Sequence, residues 1–287
     1  MVYNHENYLD AFFKGVLSQQ LPYAYEIVIG VDQSDDASLV ICKRYREIFP
    51  SIITLIEHEV RVGMIQNFIT TYNMCTGKYI AICEGDDYWT DDQKLMKQIQ
   101  VLDNDKNAVL CFTDIKVLDE EEGTFDMNWA KIGKDRYTIE DLIKSYPISF
   151  CSVLFRNNIV ALNEHSLQGL SMADLPFVLE LMTHGYAKYL NVQTAVYRRS
   201  AQSSYSKNTI VEQLLKKKTI YEYLLSQPRF TKYKRQLFKV YNYHLYAIAT
   251  RLDKTDIRRA AFFKKVIRSI DINNVALPVK ALVKSIT

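Results

Sequence analysis

The 287 residues include only 9 Gly, 6 Pro, 2 Trp and 5 Cys. So little Gly and Pro excludes collagen-like repeats and long flexible linkers. The cysteines (Cys42, Cys75, Cys83, Cys111 and Cys151) are odd in number, widely spaced and never in a CxxC pair. They read as reduced, mostly buried thiols of a cytoplasmic protein rather than a disulfide framework or a zinc site. No apolar run approaches the ~18 residues that span a bilayer, and the first residues lack the basic-then-apolar layout of a signal peptide. P-loops, nucleophile triads, internal repeats and low-complexity tracts are also missing.

What is present is the balance of a folded globular chain, 48% apolar and 24% charged, with 20 Tyr and 13 Phe. The net charge of +3 conceals two opposed parts. Residues 1–205 carry 18 Lys and Arg against 28 Asp and Glu, and residues 206–287 carry 18 against 5, giving −10 and +13. Asymmetry of that size implies parts that face different partners, with a boundary near residue 205.

Short branched and aromatic runs alternate with segments of helical period. Strands are predicted over Glu26–Val31, Ile53–His58, Tyr79–Cys83 and Val109–Phe112. Helices are predicted over Ser38–Phe49 with Ser38 as a cap, Met64–Cys75, and Asp91–Asn104 with Leu95, Ile99 and Leu102 on one face. Further on, Thr138–Tyr146 and Ala173–Thr183 read as helical, and Phe150–Phe155 and Tyr189–Tyr197 as extended. This order predicts an α/β fold, a Rossmann-like, mostly parallel sheet flanked by helices, followed by an all-helical C-terminal region.

In such sheets ligands bind beyond the carboxyl ends of the strands. Acidic clusters fall there: Asp32–Asp36 (DQSDD), Glu84–Asp87 (EGDD) and Asp114. Clustered carboxylates repel one another unless a cation or hydrogen-bond donors offset them, and a hard divalent ion such as Mg2+ or Mn2+ suits them. A solvated acidic turn is the alternative for DQSDD.

The segments YNHENYL, EIVIGVDQSDDAS, the Gly63 to Asn67 spacing, GKYIAICEGDDYWTDDQKLMKQ and VLCFTD resemble, in order and spacing, the bacterial family 2 glycosyltransferases over roughly residues 1–205. The resemblance implies the GT-A fold of nucleotide-diphospho-sugar transferases. It implies a nucleotide site around Tyr3, Asn4, Asp32 and Asp86, Asp32 accepting from the base. It implies Asp87 and Asp86 as metal-facing carboxylates for Mn2+ or Mg2+, and Glu84 and Trp89 at the donor-sugar pocket. Glu84 also reads as an exposed strand-end carboxylate, and Trp89 as a buried anchor. SMADLPFVLELMTHGYAKYL resembles the family's later motif, which makes Asp174 the catalytic base; a carboxylate opening a helix also reads as an N-cap. Arg198 and Arg199 stand where a diphosphate-steadying His often lies, and they also read as a surface basic pair. The GxGxR-type loop of nucleotidyltransferases that share the fold is absent.

The implied reaction is inverting transfer from a nucleotide-diphospho-sugar, UDP-linked in the usual case, to a hydroxyl of a glycan or lipid-linked glycan, as in surface-polysaccharide assembly. The first strand that flanks the nucleotide is nearly absent, since only Met1 and Val2 precede Tyr3. That departure, with the missing His, leaves a non-catalytic nucleotide- or glycan-binding or scaffold role as the alternative. The basic C-terminal helices, with Phe262, Phe263, Val266, Ile267 and Ile270 beside Lys264, Lys265 and Arg268, suit either an anionic membrane surface or packing with solvated outer faces. Nucleic acid is disfavoured, because the basic residues are spread over several helices and the remainder is acidic.

Overall fold

A computed structural model describes residues 1–126, 132–199, 208–252 and 256–269. In chain order the elements of the first part are α1 (Leu9–Leu17), β1 (Ile27–Val31), α2 (Ser38–Ile48), β2 (Ile53–Glu57), α3 (Met64–Asn73), β3 (Tyr79–Ala81), β4 (Tyr88–Trp89), α4 (Lys94–Asn104) and β5 (Ala108–Asp119). They continue with β6 (Thr124–Asp126), β7 (Arg136–Tyr137), α5 (Ile139–Lys144), β8 (Leu154–Arg156), α6 (Asp174–Leu181) and β9 (Tyr186–Arg199). The chain divides into two compact units, Met1–Ser206 and Lys207–Thr287.

The first unit is α/β, with sheets flanked by helices. β1 and β2 form a parallel pair, and a second sheet runs β3-β8-β5-β9-β4, with β6 on β5 and β7 on β9. Within this architecture the larger sheet is mixed, not mostly parallel. β8 lies antiparallel to both β3 and β5, so those two run parallel to one another, as their helical crossover through α4 requires, with β8 inserted between them. β5 runs parallel to β9 over most of its length, with bulges near Asp114. Phe150–Phe155 is accordingly half strand: Phe150–Ser152 is a 3-10 turn before β8.

Three local readings change. Ser38 does not cap α2. It is the first helical residue, and its Oγ accepts the His5 N–H at 2.7 Å while Asp36 accepts the Ser38 N–H. Helix α1 escaped the sequence reading although Leu9, Phe12, Phe13 and Val16 repeat at helical spacing and are buried. On α4 the buried face is Lys94, Gln98 and Leu102, whereas Leu95 and Ile99 border a cavity. Gln98 Nε2 donates to the Cys111 and Ser152 carbonyls, which docks α4 on the sheet through a polar side chain.

Gly30 and Gly63 show why α3 sits where it does. A Cβ on Gly30 would lie 2.1 Å from Asn67 Oδ1 and from Thr71 Oγ1, so β1 and α3 meet only because Gly30 lacks one. Gly63 caps α3 at φ 81°, a conformation open to glycine.

The second unit holds α7 (Ile210–Ser226), α8 (Lys234–Arg251) and α9 (Ile257–Ser269). Thr209 and Glu212 form a capping box at the start of α7. Phe262 and Phe263 are half-buried beside exposed Lys264 and Lys265; the side chains of Val266, Ile267, Arg268 and Ile270 lie outside the described residues. Among the described residues no helix is long and apolar enough to cross a membrane.

Candidate active site

The loops after β1 and β3 are held together by the first residues of the chain. Val2 donates to the Gly30 carbonyl and accepts from the Asp32 N–H, both at 2.9 Å, while the Met1 carbonyl accepts from Gly85 N–H at 3.0 Å. Asn4, at φ 54°, accepts the Asp35 N–H on its side chain and donates its own N–H to Ser34 Oγ. A Cβ on Gly85 would lie 2.7 Å from His5 Nδ1 and 2.9 Å from a Val2 methyl. The glycine of EGDD is therefore what allows Tyr3–His5 to approach the acidic loop.

On the nucleotide side, Tyr3 is half-buried with the Arg61 guanidinium 4.3 Å from its ring centroid. Asp32 is buried, and its carboxylate accepts from Val62 and Gly63 N–H groups at 2.8 Å and from Gln33 N–H at 3.0 Å. It thus clamps the segment before α3 in addition to bordering the site. Arg61 carried no sequence signal of its own, because it reaches Tyr3 only through that clamp.

The EGDD carboxylates divide by environment. Asp86 leaves 30% of its side chain exposed and lies 3.8 Å from His5 Nε2. Burial lowers the His5 pKa against the opposing pull of Asp86. Glu84 is half-buried, and burial followed by the charges of Asp86 and Asp174 pushes its pKa up to about 7. Asp87, by contrast, is 1% exposed. Its Oδ1 accepts the Arg198 N–H at 2.9 Å and the Cys151 thiol donates to it, while burial holds its pKa well above the usual carboxylate range. Of the two carboxylates expected to face a metal, Asp86 is open and Asp87 is turned inward as the tie between EGDD and β9. Trp89 is likewise an internal anchor: it is buried, and its Nε1 donates to the Cys151 carbonyl at 2.9 Å. Lys94, fully buried with its ammonium 4.6 Å from the Trp89 ring and bonded to Gln98, has its pKa lowered to about 8 by burial.

Asp174 is the first residue of α6, and the position before it, Ala173, makes no side-chain cap. Its charge acts on Glu84 and on half-buried Tyr146, so the start of α6 shares the electrostatic field of the EGDD loop. Tyr197 belongs to the same field, its hydroxyl pushed up by burial and by the charges of Asp87, Glu84 and Asp86. The Arg198 side chain pairs with Glu120 at 3.3 Å between the rings of Tyr8 and Tyr88. Arg199 is exposed, its carbonyl accepting the Glu120 N–H. The Arg198 guanidinium thus lies against Tyr88, the residue that follows EGDD, with its charge paired to Glu120. Glu120, Tyr8 and Cys151 were missed in the sequence because their partners are about 50 or more residues away in the chain.

Among the described residues no three His, Cys, Asp or Glu side chains close around a metal ion. A cation carried on a diphosphate needs only one or two protein carboxylates, the other positions being phosphate and water oxygens. Glu84 and Asp86 fit that demand, since a cation beside them would offset the repulsion that pushes Glu84 up.

The sequence model described as Glycosyl transferase family 2 matches residues 1–161. The chain belongs to this family. Its fold is the GT-A fold. The structure resembles Staphylococcus aureus TarS 1-349 in complex with UDP-GlcNAc, with a TM-score of 0.68 and 15% identity, over 94% of this chain and 79% of that one. It also resembles the mannosyltransferase PcManGT of Pyrobaculum calidifontis in complex with GDP-Man and Mn2+, with a TM-score of 0.56 and 13% identity, over 99% and 76% of the two chains. Uncharacterized proteins of Mycobacterium bovis and Mycobacterium tuberculosis are 32% identical over 155 residues, 54% of this chain and 44% of theirs, so the match spans under half of those relatives. The EpsE protein of Bacillus subtilis is 25% identical over 204 residues, 69% of each chain.

Proposed function

We propose that this glycosyltransferase is an inverting, divalent-metal-dependent enzyme that moves a sugar from a nucleotide-diphospho-sugar, UDP-linked, to a hydroxyl of a glycan or lipid-linked glycan. The observation that carries the reading is the convergence of Tyr3, Glu84, Asp86 and Asp174, from three separate segments, at one end of the sheets. The nucleotide complexes of TarS and PcManGT support the donor class.

In this reading Tyr3, backed by Arg61, receives the base, and Asp32 holds the loop that frames it. Glu84 and Asp86 would hold Mn2+ or Mg2+, which when bound neutralises charge on a departing diphosphate. Asp174 takes the proton of the acceptor hydroxyl as that oxygen attacks the anomeric carbon from the face opposite the leaving group; one displacement inverts the centre. Glu84, at about 7, is ionised in part at neutral pH and more fully beside a cation. The role in surface-polysaccharide assembly and the cytoplasmic, membrane-adjacent setting belong to the same proposal, supported by the +13 of residues 206–287.

The test is a screen of nucleotide-sugars for Mn2+-dependent hydrolysis and transfer, with Asp174→Asn beside the parent protein. A loss of turnover of 100-fold or more with donor binding retained is expected. Turnover surviving in Asp174→Asn removes the base assignment, and tight UDP binding without turnover on any acceptor removes the reaction.

A further inference from the structure

Among the described residues, buried side-chain atoms without a hydrogen-bond partner include His5 Nδ1, His58 Nε2, Arg198 Nε and the Tyr146 hydroxyl oxygen. His5 and Arg198 adjoin the acidic loop and His58 follows β2, whereas Tyr146 lies on a separate segment, beyond the end of α5. A tyrosine ordinarily buries its ring and leaves its hydroxyl wet. Tyr146 does the reverse: the residue is half-buried, yet the oxygen at its tip is sealed from solvent and makes no hydrogen bond. An unpaired buried hydroxyl is destabilising, so in the free protein this one contributes nothing that a phenylalanine would not.

The backbone that carries Tyr146 is fixed relative to α6. Thr138 and Asp141 form a capping box on α5, which packs against α6. Ser145 ends α5 by donating its N–H to the Asp141 carbonyl, and Pro147 then restricts Tyr146 to extended backbone. Further on, the Phe150 ring lies 6.4 Å from that of Phe177, which sits on α6 about one turn beyond Asp174. Cys151 follows, its carbonyl accepting from Trp89 and its thiol donating to Asp87. The segment from α5 to Cys151 is thus anchored on α6 and on the acidic loop, the two elements that carry Asp174 and Glu84. Burial and then the Asp174 charge push the Tyr146 pKa well above the ordinary value of 10, so at neutral pH its hydroxyl carries a proton to donate.

We propose that Tyr146 is a positioning residue for Asp174: in the substrate complex its hydroxyl donates to one carboxylate oxygen of Asp174 and leaves the other to take the acceptor proton. A carboxylate on the first residue of a helix is drawn toward that helix's own amides, and a donor from outside the helix fixes its plane against that pull. The step assisted forms the bond from the acceptor oxygen to the anomeric carbon, breaks the bond from that carbon to the diphosphate, and leaves the proton on Asp174. The inference rests on the reading of Asp174 as the base.

The test is Tyr146→Phe in the full chain, alone and combined with Asp174→Asn. Mn2+-dependent hydrolysis of UDP-GlcNAc, GDP-Man and the other nucleotide-sugars of the screen is followed, with water as the acceptor. Tyr146→Phe is expected to lower kcat about tenfold or more, to leave KM for the nucleotide-sugar within about twofold, and to leave the urea midpoint unchanged or raised. In the Asp174→Asn background the same substitution should change kcat by less than about twofold, because the group it acts through is gone. A parental kcat in Tyr146→Phe beside a disabled Asp174→Asn overturns this proposal alone. Equal losses in the two backgrounds overturn it by showing that the hydroxyl acts on the substrate directly, and a lowered urea midpoint overturns it by showing a structural bond. Full turnover in Asp174→Asn, or no turnover by the parent protein, removes the reading of the base and this proposal with it.

Discussion

Asp86 and Asp87 are neighbours in sequence and occupy opposite environments, one open beside His5, the other sealed under the Arg198 amide. The difference sets separate expectations for their removal. Asp87→Ala leaves a buried N–H without its acceptor and should cost about 1–3 kcal/mol of stability, read as a shift in urea midpoint. Asp86→Ala should leave that midpoint within about 0.5 kcal/mol and instead weaken Mn2+-dependent turnover. Equal stability losses in the two would show that both carboxylates are structural. Glu84 carries a sign that can be checked against pH. Its folded pKa of about 7 lies above the ordinary value of 4.5, so the folded state holds the proton more tightly and stability falls as pH rises from about 4.5 to about 7. Glu84→Gln removes that loss. Its Tm should match the parent below pH 4.5, rise above it progressively to pH 7, and stay above by an amount equivalent to roughly 1–2 kcal/mol after allowing for partial exposure. A constant difference across the range would place the pKa elsewhere.

Among the elements, α3 and β1 are joined through a glycine rather than through matched side chains. Gly30→Ala would drive its methyl into Asn67 and Thr71, and Asn67 Nδ2 is itself bonded to the Gly30 carbonyl at 3.1 Å. A loss of about 1–3 kcal/mol is expected in denaturant titration, with faster amide exchange along α3. β1, α2, β2 and α3 were legible in the sequence because their apolar periods are local and complete within each segment. The insertion of β8 between β3 and β5 was not, since an antiparallel partner arriving from residues 154–156 leaves no trace in the period of either neighbour. Nor was the polar docking face of α4. The sequence reading singled out only Leu95, Ile99 and Leu102 on this helix, because the carbonyls of Cys111 and Ser152 and the ring of Trp89 reach Lys94 and Gln98 from distant segments.

The whole molecule keeps its charges apart, an acidic α/β unit and a basic helical one. If the basic part meets an anionic surface, the full chain should co-sediment with anionic liposomes at low salt, release as salt rises, and fail to bind once residues 255–287 are deleted. Sedimentation with neutral liposomes to the same extent would leave those helices a packing role alone. The sequence by itself determined the order of β1, α2, β2, α3 and β3, the family, the charge division and the acidic loops after β1 and β3, because each is written in local period or contiguous motif, whereas Asp114, expected at a strand end, lies within β5. Only the tertiary structure decided that Asp86 is open while Asp87 is a tie, and that Trp89 and Arg198 are occupied internally. Those outcomes depend on which distant backbone groups arrive beside each side chain, and burial and pairing of that kind are properties of the assembled sheets.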